Sequence, residues 1–238
     1  MVEELNSRLI QSFGRRKGRP FTKEKEDLID NLLPGIKIKL PDSKNSDPKD
    51  FFDIDKINIA DKEIWLEIGF GDGEHLFHNV VENPDILMIG GEVYAHGIAS
   101  LLKKIASDNS AKDRIRIFAD DIRLLLATLN DNSIDKIFVL FPDPWPKKKQ
   151  NKRRLLNSQF FEELSRVMKS DSVVHIATDH HEYAEFILQQ MYESSKFEWM
   201  AKSKNDWLTP NPHHIETKYQ LKNKAETDYP VFLNFRNF

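Results

Sequence analysis

Residues 64–73 read IWLEIGFGDG, a short apolar run with β-branched and aromatic members that closes on glycines at every second position. A strand with one wet face alternates apolar and polar residues; a run apolar on both parities reads as a strand covered on both sides. Four more runs of this kind follow: ILMIGGEV (86–93), RIRIFAD (114–120), KIFVLFPD (136–143) and SVVHIATD (172–179). Between them the spacing turns helical. Ile98, Leu101, Leu102 and Ile105 stand at i, i+3, i+4, i+7, and so do Ile122, Leu125, Leu126 and Leu129. Ala184, Ile187, Leu188 and Met191 repeat the pattern, and Ser158 is expected to cap a helix with Glu162 and Glu163 in its first turns. Five strand–helix units in succession predict a doubly wound, mostly parallel α/β sheet with right-handed crossovers. The tail YPVFLNFRNF predicts a last, antiparallel strand at the edge. Ligands of such sheets lie beyond the C-terminal ends of the strands, so the chemistry is expected directly after each run.

Upstream, residues 1–40 read as a basic arm, SFGRRKGRP, followed by a short helix near Leu28–Leu33 that Pro34-Gly35 closes. Residues 41–62, rich in Pro, Asp, Ser and Lys, read as a linker or surface loop with room for one edge strand. Residues 63–238 are left as the main domain. A chain of 238 residues favours one domain, and 16 Phe, 5 Tyr and 4 Trp supply a core, which excludes wholesale disorder. The absence of Cys excludes disulfides, Cys-ligated metals and a Cys nucleophile, and it fits a reducing compartment. A net charge of −3 excludes a globally basic protein, yet Lys147 to Arg154 (KKKQNKRR) carries +6 against −9 for the remainder. Apolar runs such as Ile137–Phe141 are far shorter than the roughly 20 residues of a membrane span. The first residues, MVEELNSRLI, do not read as a secretory signal, so a cytoplasmic protein is expected.

The first strand ends in Glu67-Ile68-Gly69-Phe70-Gly71-Asp72-Gly73. Glycines permit a tight turn and let a ligand approach the backbone closely. Glu92 ends the second strand, 19 residues beyond Gly73, where a carboxylate can hold ribose hydroxyls. The spacing suits a nicotinamide dinucleotide or S-adenosylmethionine. Two details favour the second. Glu67 can face a cationic methionine end, and the form G-x-G-x-x-G is absent because residue 74 is Glu. Asp120 and Asp121 end the third strand, where either can accept from an adenine amino group or serve as a helix N-terminal acid.

The fourth strand ends in Phe141-Pro142-Asp143-Pro144-Trp145-Pro146. Prolines on both sides of Asp143 and Trp145 stiffen a loop that holds a carboxylate and a flat aromatic, which can bind a base edge and wall a pocket. The basic run then offers charge for phosphates, or is solvated surface. The fifth strand ends in Thr178-Asp179-His180-His181, with Asp179 a fitting helix cap. Neither this His pair nor His213-His214 has a third ligand at suitable spacing, so no metal is expected.

In this order, EIGFGDGEHL, GGEVYAHGI, FPDPWPKKKQNKRR, ATDHHEYAEF and TKYQ resemble the bacterial tRNA (guanine-N7-)-methyltransferases, over about residues 10–238 and including the arm. The resemblance implies a class I, Rossmann-like methyltransferase with a seven-stranded sheet. It implies S-adenosylmethionine as cofactor, tRNA as partner, and guanosine 46 of the variable loop as target. By motif, Glu67, Glu92, Asp120 and Asp143 match positions that bind S-adenosylmethionine, with the turn glycines Gly69, Gly71 and Gly73 beside them. Asp143 also matches the proposed catalytic acid. Lys147, Asp179, Thr217, Lys218, Tyr219 and Gln220 match substrate-contacting positions. Three positions depart from the pattern: Gln150 stands where the family often has His, and Gln220-Leu221 where it usually has Glu followed by Arg. No membrane and no obligatory protein partner is inferred.

On this reading Arg15, Arg16 and Arg19 of the arm join Lys147, Arg153 and Arg154 in holding tRNA phosphates, and Asp143 orients guanine. Three rivals stay open: a nicotinamide-dependent oxidoreductase, a non-catalytic RNA-binding module, and an amino-group methyltransferase. The last shares the Asp/Asn-Pro-containing loop with an aromatic.

Overall fold

A computed structural model describes residues 12–16, 18–217, 220–221 and 229–238. Seven strands form one sheet in the order β3-β2-β1-β4-β5-β7-β6. They are β1 (Glu63–Ile68), β2 (Ile86–Gly91), β3 (Ile115–Phe118), β4 (Ile134–Leu140), β5 (Met168–Thr178), β6 (Phe197–Trp199) and β7 (Val231–Asn237). β1 to β5 pair in parallel, as their apolar runs predict, and β1 and β4 lie side by side at the centre. The strand order reverses between them, which makes the crevice above their ends the natural ligand site.

The helices are α1 (Lys23–Asn31), α2 (Glu74–Glu82), α3 (Ala95–Ser107), α4 (Ile122–Leu126), α5 (Ser158–Val167), α6 (His181–Ser194) and α7 (Lys204–Leu208). They cover both faces. Ile64, Leu66 and Ile68 of β1 pack with α4, α5 and α6, while Trp65 packs with α2 and α3. That division follows from the two-residue period of a strand.

The sequence reading needs correction at several joints. β7 is antiparallel to β5 as expected, and the unforeseen three-residue β6 pairs along its outer side. The cap of α5 is Asn157, whose side chain accepts from the Phe160 N–H; Ser158 is the first helical residue. The cap of α6 is His180 rather than Asp179. The helix at Ile122 ends at Leu126, short of Leu129. No strand forms among residues 41–62; Ser46 makes one bridge to Leu129. The upstream segments also belong to the core. Ile38 donates to Ile117 O and Ile117 to Ile36 O, each at 2.8 Å, which covers the outer edge of β3, and Phe52 is buried. Among the described residues no helix is long and apolar enough to cross a membrane.

Candidate active site

A cavity of about 600 Å³ opens above the ends of β1, β2 and β4. Its floor is the glycine turn. Gly69 and Gly71 adopt φ of +73° and +54°, and a Cβ added to either would meet nothing within 4 Å. Both therefore present bare backbone to the cavity they line. Gly73 is not among the lining residues; it caps α2 and packs on Leu101.

Glu92 holds this turn. Its Oε2 accepts from the Gly71 N–H, and its Oε1 from the Val93 and Tyr94 N–H groups, all at 2.8 Å. Burial pushes the Glu92 carboxyl up from its ordinary pKa, and the three N–H donors oppose that rise. Glu67 also lines the cavity. Its Oε2 accepts from His75 Nδ1 at 2.7 Å, with both side chains buried.

The Asp pair divides its roles. Asp121 caps α4 by accepting from the Arg123 N–H, and it meets the Arg123 guanidinium at 2.9 and 2.7 Å. Burial pushes its carboxyl up, but the Arg123 contacts bring it below its ordinary value. Asp120 lines the cavity and receives Arg16 Nη2 at 2.6 Å. Arg16 thus reaches a carboxylate at the cavity mouth, where phosphate contact was expected. The rest of the arm follows it. Ser12, Phe13, Gly14 and Arg15 line the cavity, and the Arg15 guanidinium stands 5.6 Å from the Tyr94 ring centre. Arg19 lies outside the cavity lining; its carbonyl accepts from His96 Nε2 at 2.6 Å.

Asp143 and Trp145 also line the cavity, and Asp143 is exposed. Two non-glycine residues of this loop lie in left-handed backbone, Phe141 at φ +51° and Trp145 at φ +44°. The Phe141 N–H donates to Ala177 O at 2.7 Å, and Arg154 Nε donates to Pro144 O at 2.8 Å. Arg154 is 5% exposed, with its guanidinium over the rings of Tyr183 and Phe186 at 5.0 and 4.7 Å. It clamps the loop from beneath and lines the cavity, buried where the basic run was expected to reach tRNA phosphate. Arg153 lies between Phe13 and Trp145, 5.0 Å from each ring centre. Lys147 is exposed outside the cavity lining and caps the 3-10 turn Lys148–Arg153.

Asp179 lies outside the cavity lining, at the end of β5. Thr217 does line the cavity. Gln220, expected at a substrate-contacting position, is buried and its Oε1 accepts from His214 Nε2 at 2.9 Å. Lys218 and Tyr219 lie outside the described residues. Among the described residues no group of three or more His, Asp or Glu could hold a metal ion. Sequence reasoning missed His75 and Asn79. Their signal is two polar residues at i, i+4 on the face of α2 that also buries Leu76 and Val80.

A family described as putative methyltransferases matches residues 61–230. A tRNA (guanine-N(7)-)-methyltransferase of Agrobacterium fabrum is 39% identical over 236 residues, covering 99% of each chain. One of Hyphomonas neptunium is 36% identical over 227 residues, covering 95% of this chain and 99% of its own. Among solved structures, a 16S rRNA (adenine(1408)-N(1))-methyltransferase from Catenulisporales acidiphilia superposes with a TM-score of 0.54 at 13% identity, covering 84% of this chain and 98% of its own, a likeness of fold alone. With relatives this similar from end to end, and with a glycine turn and an acidic strand end meeting at one cavity, the chain belongs to the tRNA (guanine-N(7)-)-methyltransferase family.

Proposed function

We propose that this chain transfers a methyl group from S-adenosylmethionine to N7 of guanine in tRNA, with guanosine 46 of the variable loop as the target. The observation that carries the reading is the single cavity shared by the glycine turn, Glu92, Asp120 and the Asp143 loop. The residues present fit the cofactor. Gly69 and Gly71 leave open space where side chains would stand, and a cavity of about 600 Å³ is the size of a small-molecule site. Glu92 would hold the ribose hydroxyls, Glu67 the cationic methionine end, and Asp120 the adenine amino group. Asp120 can do so only by sharing or releasing Arg16.

When bound, S-adenosylmethionine supplies a methyl on sulfonium, an electrophile that needs no further activation. Guanine N7 offers an in-plane lone pair and carries no proton, so the protein has no proton to remove there. What the chain must supply is orientation, which brings several kcal/mol when reacting atoms are held at about 3–3.5 Å in line. Asp143 would accept from guanine N1–H and the 2-amino group, donors that adenine lacks. Its charge also favours the positive charge that guanine acquires. Trp145 and Phe13 wall the base, and exposed Lys147, Lys148 and Lys149 face tRNA phosphate.

The test is methyl transfer to a tRNA transcript followed by nucleoside analysis. 7-Methylguanosine at position 46 is expected. A methylated exocyclic amine, or tRNA binding with no transfer, would overturn the proposal.

A further inference from the structure

We propose that His75 and Asn79 are positioning residues, which set the Glu67 carboxylate for the cofactor and tether the segment that carries Thr217 into the same cavity. The proposal rests on the reading of this cavity as the S-adenosylmethionine site.

The geometry assigns the roles in order. Asn79 Nδ2 lies 3.0 Å from His75 O and 3.1 Å from His213 O. Carbonyl oxygens only accept, so this side-chain atom is the amide nitrogen. The same nitrogen lies 3.1 Å from His75 Nε2; its two protons serve three acceptors, so one is shared, and since a proton on Nε2 would face a donor, Nε2 accepts and Nδ1 carries the imidazole proton. Nδ1 is 2.7 Å from Glu67 Oε2 and donates to it. The backbone of one segment thus fixes an amide, the amide fixes a tautomer, and the tautomer fixes a carboxylate. His75, Asn79 and Glu67 are each no more than 2% exposed, so water does not compete for these bonds. The contact with His75 occupies Oε2 and leaves over the other oxygen of a carboxylate that walls the cavity.

The far end of the chain of contacts is equally well held. His213 packs edge-on against Trp65 at 4.7 Å, and its Nε2 accepts from Lys136 Nζ at 3.0 Å. His214 packs on Phe232 at 4.9 Å and bonds Gln220. Thr217 follows four residues after His213 and reaches the cavity. One turn of α2 therefore joins the acid of the glycine turn to the approach of the TKYQ motif.

Asn and Gln replacements of His75 separate position from chemistry. Asn places its N–H where Nδ1 stands, and Gln places the same group nearer the Nε2 place. In the full chain, calorimetry should show His75→Leu weakening S-adenosylmethionine about tenfold, the loss of one charge-assisted hydrogen bond. His75→Asn should stay within about threefold of the wild type, while His75→Gln should resemble the Leu variant. In steady-state assays, His75→Leu should raise KM for the cofactor with kcat little changed. Asn79→Leu should raise KM for tRNA about threefold or more in addition to raising KM for the cofactor. A purely structural role would lower melting temperatures without this split. Equal cofactor affinity of the Asn and Gln variants would overturn the proposal, as would wild-type affinity in all three His75 variants. If His75→Leu does not fold, the Asn–Gln contrast decides alone. Glu92→Ala is the control: if it leaves cofactor affinity unchanged, the reading of the cavity fails; if it weakens affinity and the His75 variants do not, only the present proposal fails.

Discussion

The glycine turn after β1 and the FPDPWP loop after β4 stand at adjacent strand ends and wall one cavity, yet they reach their shapes by opposite means. The turn uses Gly69, Gly71 and Gly73 at positive φ, where glycine meets no steric cost. Such a turn is permissive, so its shape is imposed by neighbours, chiefly the Glu92 carboxylate, which accepts from the Gly71 N–H within the turn and is itself held by the Val93 and Tyr94 N–H groups. The loop places Phe141 and Trp145 at positive φ, which costs about 1 kcal/mol or more for each. Three prolines, Pro142, Pro144 and Pro146, stiffen it further, and the fixed end of β4 stands behind it. Arg154 clamps it from below through its bond to Pro144 O. The lesson is a division of labour. Bare backbone suits a ligand that must be approached closely, and a strained, clamped loop suits a carboxylate that must not move during the reaction.

The sharpest way to break this comparison is Asp143→Asn. Turnover should fall about 10²-fold or more while cofactor affinity stays within about tenfold. Near-normal turnover would reduce the loop to a wall. Glu92→Ala attacks the other side: calorimetry should find S-adenosylmethionine weakened by about 2–3 kcal/mol, because the turn loses its acceptor and the ribose its partner. Unchanged affinity would remove Glu92 from cofactor binding and with it the reading of the cavity. Arg154→Leu tests the clamp. Denaturant unfolding should show about 2 kcal/mol less stability, from the lost bond to Pro144 O and the lost contacts with Tyr183 and Phe186. Turnover should fall more than cofactor affinity, and the reverse result would place the clamp under the wrong wall. The smallest effect is expected where the loop runs into exposed charge. Replacing Lys147, Lys148 and Lys149 with Ala should weaken tRNA severalfold, about 1 kcal/mol, and flatten its salt dependence by up to about one log unit per lost contact. Cofactor affinity should not change, and an unaltered salt slope would move the RNA-binding face elsewhere.

The parallel strands were legible because burial on both faces leaves apolar runs that no loop would carry, and the loop motifs were legible because they directly follow those runs. β6 was not, since Phe-Glu-Trp is too short to show a period. Arg154 was not, because the run KKKQNKRR gives no sign that its last member turns inward onto two aromatic rings from another helix. The cap of α5 was misplaced by one residue because Asn157 and Ser158 both cap well, and only the backbone decides between them. The Glu67–His75–Asn79 contacts depend on a carbonyl 134 positions from Asn79, beyond the reach of any local pattern.

β7 has a consequence for how the molecule is made. Residues 231–237 leave the ribosome after every other strand, yet they pair along β5 from Val173 to Thr178. Until they arrive, β5 carries an open edge flanked by apolar side chains, including Val174 and Ile176. The central sheet can therefore assemble during synthesis, but its closure waits for residues 231–237. A ribosome stalled before residue 231 would hold a nascent chain with the cavity-forming strands already made and one of them still sticky.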